Sequence, residues 1–272
     1  TEAAAAQPVP ESVTLKTPDQ WVHIGKSFPR VDVARKTEGS VGMFGMDMRL
    51  ENMAYAISLR SPRFGGTLTG LDDAKAREMP GVIDIIRLPD RATVIAGSTW
   101  QAIQARDALS AEWDFSRAEN RSTDTLRKEY TTLLDQKGIE HYSAEAPGSE
   151  AAQVIEADYF FPYLAHAPME PIDVTVLFDG KTASFWTGSQ LQTLDHTIGA
   201  QVLGIEPASV EVNTLWAGGS FGRRAIYDSH YVAEAAMVAK AWLEAHGQAR
   251  PIKLVWTRED DVRGGYYRPM HM

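Results

Sequence analysis

A polar stretch near the middle of the chain, residues 119–150, separates two runs in which strand-like and helix-like segments alternate. Apolar residues recur at a period near 2 in some segments and near 3.6 in others, so each run reads as a mixed unit rather than a coiled coil or a disordered tail. A length of 272 residues supports about two domains. The resulting expectation is an α+β chain with an extended lead-in at 1–35, a first mixed domain at 36–118, a helical connector at 119–150 and a second, partial domain at 151–272. Pro8, Pro10 and Pro18 keep the lead-in from building a core of its own.

Local patterns place the elements. Met53–Leu59, Val82–Leu88 and Ala92–Ala96 read as strands, and Asp72–Met79 as a short helix stopped by Pro80-Gly81. Ser98-Thr99-Trp100-Gln101 has capping-box spacing and opens a helix. Ser122–Lys137 is amphipathic, with Leu126, Tyr130, Leu133 and Leu134 on one face and Gly138 past its end, and Ser143–Glu150 is loop-like. Gln153–Phe161 reads as a strand. Asp173–Phe178 and Ala183–Thr187 read as a hairpin about Asp179-Gly180. Helices over Thr193–Leu203 and Tyr227–His246 and strands over Val210–Thr214 and Ile252–Trp256 complete the pattern.

Charge and composition narrow the chemistry. The net charge of -9 disfavours general binding to phosphate backbones, so no nucleic-acid partner is expected. The longest apolar stretch, Val232–Trp242, is broken by Glu234 and Lys240 and falls short of the ~20 residues of a membrane span. The count of 0 Cys excludes a thiolate nucleophile or an iron–sulfur cluster held by this chain. No leader is expected at the first end and no polar tail at the second, and both read as cuts in something longer.

Three segments could carry chemistry. Gly218-Gly219-Ser220-Phe221-Gly222-Arg223-Arg224 lies between a strand and a helix; its glycines permit close backbone approach to an anion, and its arginines could fork onto a phosphate. The plainer alternative is a tight turn with two solvated arginines. The loop matches neither a Walker loop nor the dinucleotide fingerprint. His166 and Glu170 lie four apart between prolines, where Glu170 either orients a ligand or His166, or caps backbone donors. Trp256-Thr257-Arg258-Glu259-Asp260-Asp261 reads as a charged helix start rather than a cation site. Gln190 and Gln192, just before a helix, could present amides to a ligand or lie solvated. No metal-ligating His pair occurs.

The order of these segments carries more than any one of them. A-H-A-P-M-E-P, Q-L-Q, G-G-S-F-G-R-R, W-T-R-E-D-D and Y-Y-R-P in succession resemble the large subunit of the molybdenum hydroxylases, the xanthine dehydrogenase and aldehyde oxidase superfamily, nearest to the branch of the isoquinoline 1-oxidoreductase beta subunits. Ile24-Gly25-Lys26, Pro29 to Asp32, Met46-Asp47 and Ser61–Gly66 extend the likeness upstream. The resemblance implies an a/b hammerhead domain at 36–118, followed by the first part of a molybdopterin-binding domain. It implies a molybdenum–molybdopterin cofactor, in the cytosine dinucleotide form, touched by Gly218, Gly219, Phe221 and Gly222, with Arg223 steadying its dithiolene or phosphate end. It further implies hydroxylation of an N-heterocycle or aldehyde with oxygen from water, electron transfer to an iron–sulfur small subunit, and a periplasmic setting.

Two departures from the family pattern stand out. Leu164 occupies the position of a family Gln near the metal, and Ser220 replaces a third glycine, which requires a negative φ at that residue. The family's general base, a Glu, is expected beyond Met272, so no catalytic residue is assigned here; the chain alone is expected to be inactive, and whether it holds the cofactor by itself is left open. An incomplete second domain would also leave an apolar face open to dimerisation or aggregation. The competing expectation is a non-catalytic module holding a phosphate or nucleotide on Gly218–Arg224.

Overall fold

The computed structural model describes residues 2–39, 44–143, 153, 155–267 and 270–271. Within that range it forms two units, Thr1–Ser40 and Val41–Met272. The first holds two short helices, α1 (Glu2–Ala5) and α2 (Val33–Thr37), and a 3-10 turn at Pro18–Gln20. None of its described residues is buried. Its order is local: Asp32 pairs with Arg30 at 2.8 Å and with Lys36 at 2.6 Å.

The second unit contains, in chain order, β1 (Ala54–Arg60), β2 (Thr67–Asp72), α3 (Ala74–Arg77), β3 (Val82–Leu88), β4 (Arg91–Ala96), α4 (Thr99–Asp107), β5 (Ser110–Asp114) and α5 (Thr123–Leu134). There follow β6 (Phe160–Phe161), β7 (Asp173–Phe178), β8 (Ala183–Gly188), α6 (Gln192–Leu203), β9 (Val210–Leu215), α7 (His230–His246), β10 (Ile252–Val255), α8 (Arg258–Arg263) and β11 (Met270–His271). Seven strands form one mixed sheet in the order β3-β4-β1-β10-β7-β8-β9. The pairs β1·β10 and β8·β9 are parallel and the others antiparallel. Strands from 36–118 and from 151–272 thus share one sheet, joined where Ala54 to Ala56 pair with Ile252 to Leu254.

Period-2 alternation lets that sheet feed two cores. Ala56, Ile95, Val174, Val176 and Leu254 join α7 and α6 on one face, through Val232, Ala235, Ala236 and Trp242. Their chain neighbours Ile57, Val94, Ala96 and Val255 pack with Ala102 and Ala105 of α4 on the other. The small residues Ala235, Ala236 and Ala239 let α7 lie close to the strands.

Most elements form where the patterns put them. The Asp179-Gly180 turn closes β7 onto β8, with Asp179 Oδ1 accepting from the N–H groups of Lys181 and Thr182. Ser98 caps α4, but Gln101 turns onto the Ser98 hydroxyl rather than the Ser98 backbone N–H. Elsewhere the sequence expectation fails for identifiable reasons. The helix expected over Asp72–Met79 shrinks to Ala74–Arg77, because Asp72 ends β2 and caps the next turn through Ala74 N–H. β2 and β5 pair with each other and were not expected: Leu68 alone among their residues is buried, so neither shows a clear apolar stripe. Within Gln153–Phe161 only Phe160–Phe161 pairs, with β11. α7 starts at His230, because Ser229 takes a left-handed φ of 44° and turns its hydroxyl to Asp195. Residues 144–150 of the expected loop, Ala151 at the expected start of the second domain, Val154 within the expected strand, and Arg268, Pro269 and Met272 lie outside the described residues.

An ionic cluster ties β1, β4, α7 and the chain after β10 together. Glu234 is fully buried and takes Arg60 at 2.6 Å, Arg91 at 2.7 Å and the Trp256 indole N–H at 3.0 Å. The Arg60 guanidinium also lies 3.9 Å from the Trp256 ring centroid. Burial raises the Glu234 carboxyl, but the two guanidiniums override it and hold the pKa down to about 2.

Candidate functional site

The glycine loop leaves β9 and leads to α7, as its sequence suggests. Its conformation is unusual. Gly219, Phe221 and Gly222 have φ of 102°, 58° and 92°, while Ser220 keeps a negative φ and so meets the condition its side chain sets. The hand changes from Gly219 to Ser220 and back at Phe221, the alternation by which an anion-binding nest turns successive N–H groups toward one side. Among the described residues, the N–H groups of Gly219, Ser220, Phe221 and Gly222 find no acceptor. At Gly222 a Cβ would meet nothing within 4 Å, so the loop borders open space there.

The loop is held from behind. Glu170 accepts from Gly218 N–H at 2.7 Å, from Met46 N–H at 3.1 Å and from Arg224 at 3.2 Å. A Cβ at Gly218 would sit 2.6 Å from Glu170 Cβ, so this glycine serves the packing of Glu170. Glu170 therefore caps backbone donors. Gln190 accepts from the Ser220 hydroxyl, which itself accepts from Arg224 N–H. The Gln190 amide oxygen thus fixes the loop, and the Gln192 side chain donates to Ser189 O. Beneath the loop, Asp195 on α6 accepts from the hydroxyls of Ser189, Ser229 and Tyr231. Burial pushes the Asp195 carboxyl up against those donors.

Neither arginine is solvated. Arg224 is fully buried and donates to Gly188 O, Pro171 O and Glu170, with Asp173 at 3.7 Å. Burial, with Glu170 nearby, raises Asp173 to about 7. Arg223 is 1% exposed. It lies 3.3 Å from Asp261, 2.8 Å from His230 and over the rings of Trp256 and Tyr266. The acids after Trp256 form a capped helix start: Thr257 and Asp260 of α8 exchange bonds in a capping box. No group of acids and histidines among the described residues is arranged to hold a metal ion.

The left-handed backbone of Phe221 is the feature sequence reasoning did not anticipate. The residue is 78% exposed and held in the left-handed region, which costs a non-glycine residue about 1–2 kcal/mol. Such strain clusters where a ligand is held. Phe221→Gly is therefore expected to leave the unfolding free energy unchanged or raise it by up to ~1 kcal/mol, after the entropy cost of glycine. Denaturant titration checks this; a loss above ~1 kcal/mol would show that the ring stabilises the free chain.

Comparison with known proteins places the chain in a family. The sequence profile described as the molybdopterin cofactor-binding domain matches residues 132–271, just over half of the chain. The beta subunit of isoquinoline 1-oxidoreductase from Brevundimonas diminuta is 28% identical over 98% of this chain and 35% of its own length. The molybdenum-binding subunit of aldehyde oxidoreductase from Escherichia coli (strain K12) is 24% identical over 92% of this chain and 37% of its own. The fold is similar to part of quinoline 2-oxidoreductase from Pseudomonas putida 86, with a TM-score of 0.61 at 18% identity, over 87% of this chain and 35% of that one. Aldehyde oxidoreductase from Desulfovibrio gigas gives a TM-score of 0.61 at 16% identity, over 90% and 31%. The chain spans about a third of the length of these relatives. The matched profile, with the mixed α/β fold and the buttressed glycine loop, makes the chain a member of the molybdopterin cofactor-binding domain family.

Proposed function

We propose that this chain forms one wall of the cofactor site in the large subunit of a molybdenum hydroxylase acting on N-heterocycles or aldehydes. The observation that carries the reading is the run of four N–H groups at Gly219–Gly222 with no acceptor among the described residues, in a loop that borders open space at Gly222. An anionic molybdenum–pterin group, in the cytosine dinucleotide form, fits such a cradle, because backbone N–H groups attract negative charge and the glycines place no Cβ in its way. When bound, that group supplies hydroxylation at carbon with oxygen from water and passes the electrons on to an iron–sulfur subunit. The protein's own part is positional. Gly218 is fixed by Glu170, Gly219 and Gly222 present donors, and Phe221 is held outward at the loop's tip. Arg223 acts from behind as a fixed positive charge, since its guanidinium is enclosed by Asp261, His230 and two rings.

Turnover of a panel of N-heterocycles and aldehydes by the full-length protein with its partner subunit, in oxygen-18 water, tests the reading. Label in the hydroxylated product is the expected result. A cofactor-loaded enzyme that turns over neither class, or that draws its oxygen from dioxygen, would overturn it.

A further inference from the structure

We propose that His230 is a positioning residue for the glycine loop: its neutral imidazole accepts the Arg223 Nη1–H on Nε2 and thereby fixes the guanidinium behind Gly222. The inference rests on the reading that this loop holds the cofactor.

Arg223 Nη1 and His230 Nε2 are 2.8 Å apart. A guanidinium has donors only, so the imidazole nitrogen must be the acceptor and the ring proton must sit on Nδ1. That nitrogen faces Asp228 at 3.6 Å. Asp228 is itself engaged by the Tyr266 hydroxyl at 3.0 Å and by His230 N–H at 3.2 Å. The ring cannot turn away freely. It stacks on Tyr266 at 4.1 Å and meets Trp256 and Tyr231 edge-on at 5.2 and 5.5 Å. Burial, reinforced by the Arg223 charge and opposed by Asp228 and Glu234, lowers its pKa to about 4, which agrees with a neutral ring at physiological pH.

The other contacts of Arg223 are ionic and aromatic, to Asp261, Trp256 and Tyr266. Its approach to Asp261, at 3.3 Å, leaves Arg223 Nε and Asp261 Oδ1 without a well-formed hydrogen bond, and Nη2 is buried without a partner. The contact to His230 is thus the one well-formed hydrogen bond of its guanidinium among the described residues. Because Arg223 follows Gly222 directly, where the chain orients the last free N–H of the cradle, the side chain that anchors Arg223 also anchors the loop.

Two substitutions in the full-length protein separate this role from packing. His230→Phe keeps the aromatic contacts but removes the acceptor. His230→Gln gives up the ring but offers an amide oxygen near the position of Nε2. Pterin and molybdenum content per polypeptide and the thermal midpoint of the cofactor-free protein are measured for each. His230→Phe is expected to reduce cofactor occupancy at limiting cofactor about tenfold, the effect of losing one charge-assisted hydrogen bond. His230→Gln is expected to restore it to within about threefold of wild type, even with the lower midpoint of the two. The opposite ranking, with occupancy following the thermal midpoint, would reduce His230 to a packing residue and overturn the proposal. Full occupancy in His230→Phe would overturn it while leaving the cofactor reading intact, whereas a wild-type protein without pterin would overturn that reading first.

Discussion

Glu234→Leu is expected to lower the unfolding free energy by about 3–5 kcal/mol, the cost of removing one partner from a buried ion pair. The substitution fills a similar volume but leaves Arg91 with Asp90 as its carboxylate partner, and Arg60 with Asp260 at 3.4 Å, Ser58 O at 3.4 Å and the Trp256 ring. It also removes the acceptor of the Trp256 indole and one of the Ser58 hydroxyl, which is left with Thr93 Oγ1 at 2.8 Å. In a unit of this size the loss lowers the thermal midpoint by about 10 °C. The cluster also predicts a pH dependence. The folded-state pKa of Glu234 is depressed to about 2 from 4.5, so its contribution is fully present above about pH 4.5 and is lost as pH falls toward 2. That contribution is about 3 kcal/mol at 1.36 kcal/mol per unit. Glu234→Gln should therefore flatten acid unfolding between those pH values. A midpoint shift below about 2 °C in Glu234→Leu, or unchanged acid unfolding in Glu234→Gln, would show that the cluster is not what joins β1 and β4 to α7.

Arg224→Leu is expected to cost a similar 3–5 kcal/mol, with a further consequence at the loop. Without the guanidinium, Glu170 and Asp173 are two buried carboxylates with Lys253 as the cation left near them among the described residues. Lys253 is already committed to Gly45 O and Met46 O, and burial lowers its own pKa to about 8. Repulsion between the carboxylates should protonate one of them and displace Glu170 from Gly218 N–H, so that the cradle loses its fixed end. Arg224→Lys keeps a charge but cannot serve Gly188 O, Pro171 O and Glu170 together, and should fall between the two. Equilibrium unfolding measures the first effect and cofactor occupancy the second. A stable Arg224→Leu protein with full occupancy would contradict the account of how the loop is held.

The strands and the loop were legible in the sequence because their signals are local. Val82–Leu88 and Ala92–Ala96 carry runs of β-branched residues, and Asp179-Gly180 specifies its turn through one side chain. The sheet order was not legible, since the parallel pairing of Ala54 with Ile252 joins residues far apart in the chain and leaves no periodic trace. β2 and β5 escaped notice because they are short, mostly polar and largely exposed. At the site, the glycines announced a close backbone approach, but the sequence could not say that both arginines point inward. An Arg-Arg pair after a glycine turn looks the same whether it meets solvent or Glu170, Asp173 and Asp261. Phe221 gave no sign of its left-handed backbone, and His230 gave none of its role, because both depend on what tertiary packing brings against them.

The most direct test of the central claim is the molybdenum and pterin content of the full-length protein beside its Gly222→Val variant. A Cβ at Gly222 meets nothing within 4 Å in the protein, so the substitution adds bulk to the open side of the loop, and its φ of 92° adds backbone strain. Thermal unfolding of both proteins without cofactor measures that strain separately. The account predicts stoichiometric molybdenum and pterin in the wild type and loss of most of both in Gly222→Val, beyond what its thermal midpoint explains. Equal cofactor content in the two proteins would contradict it.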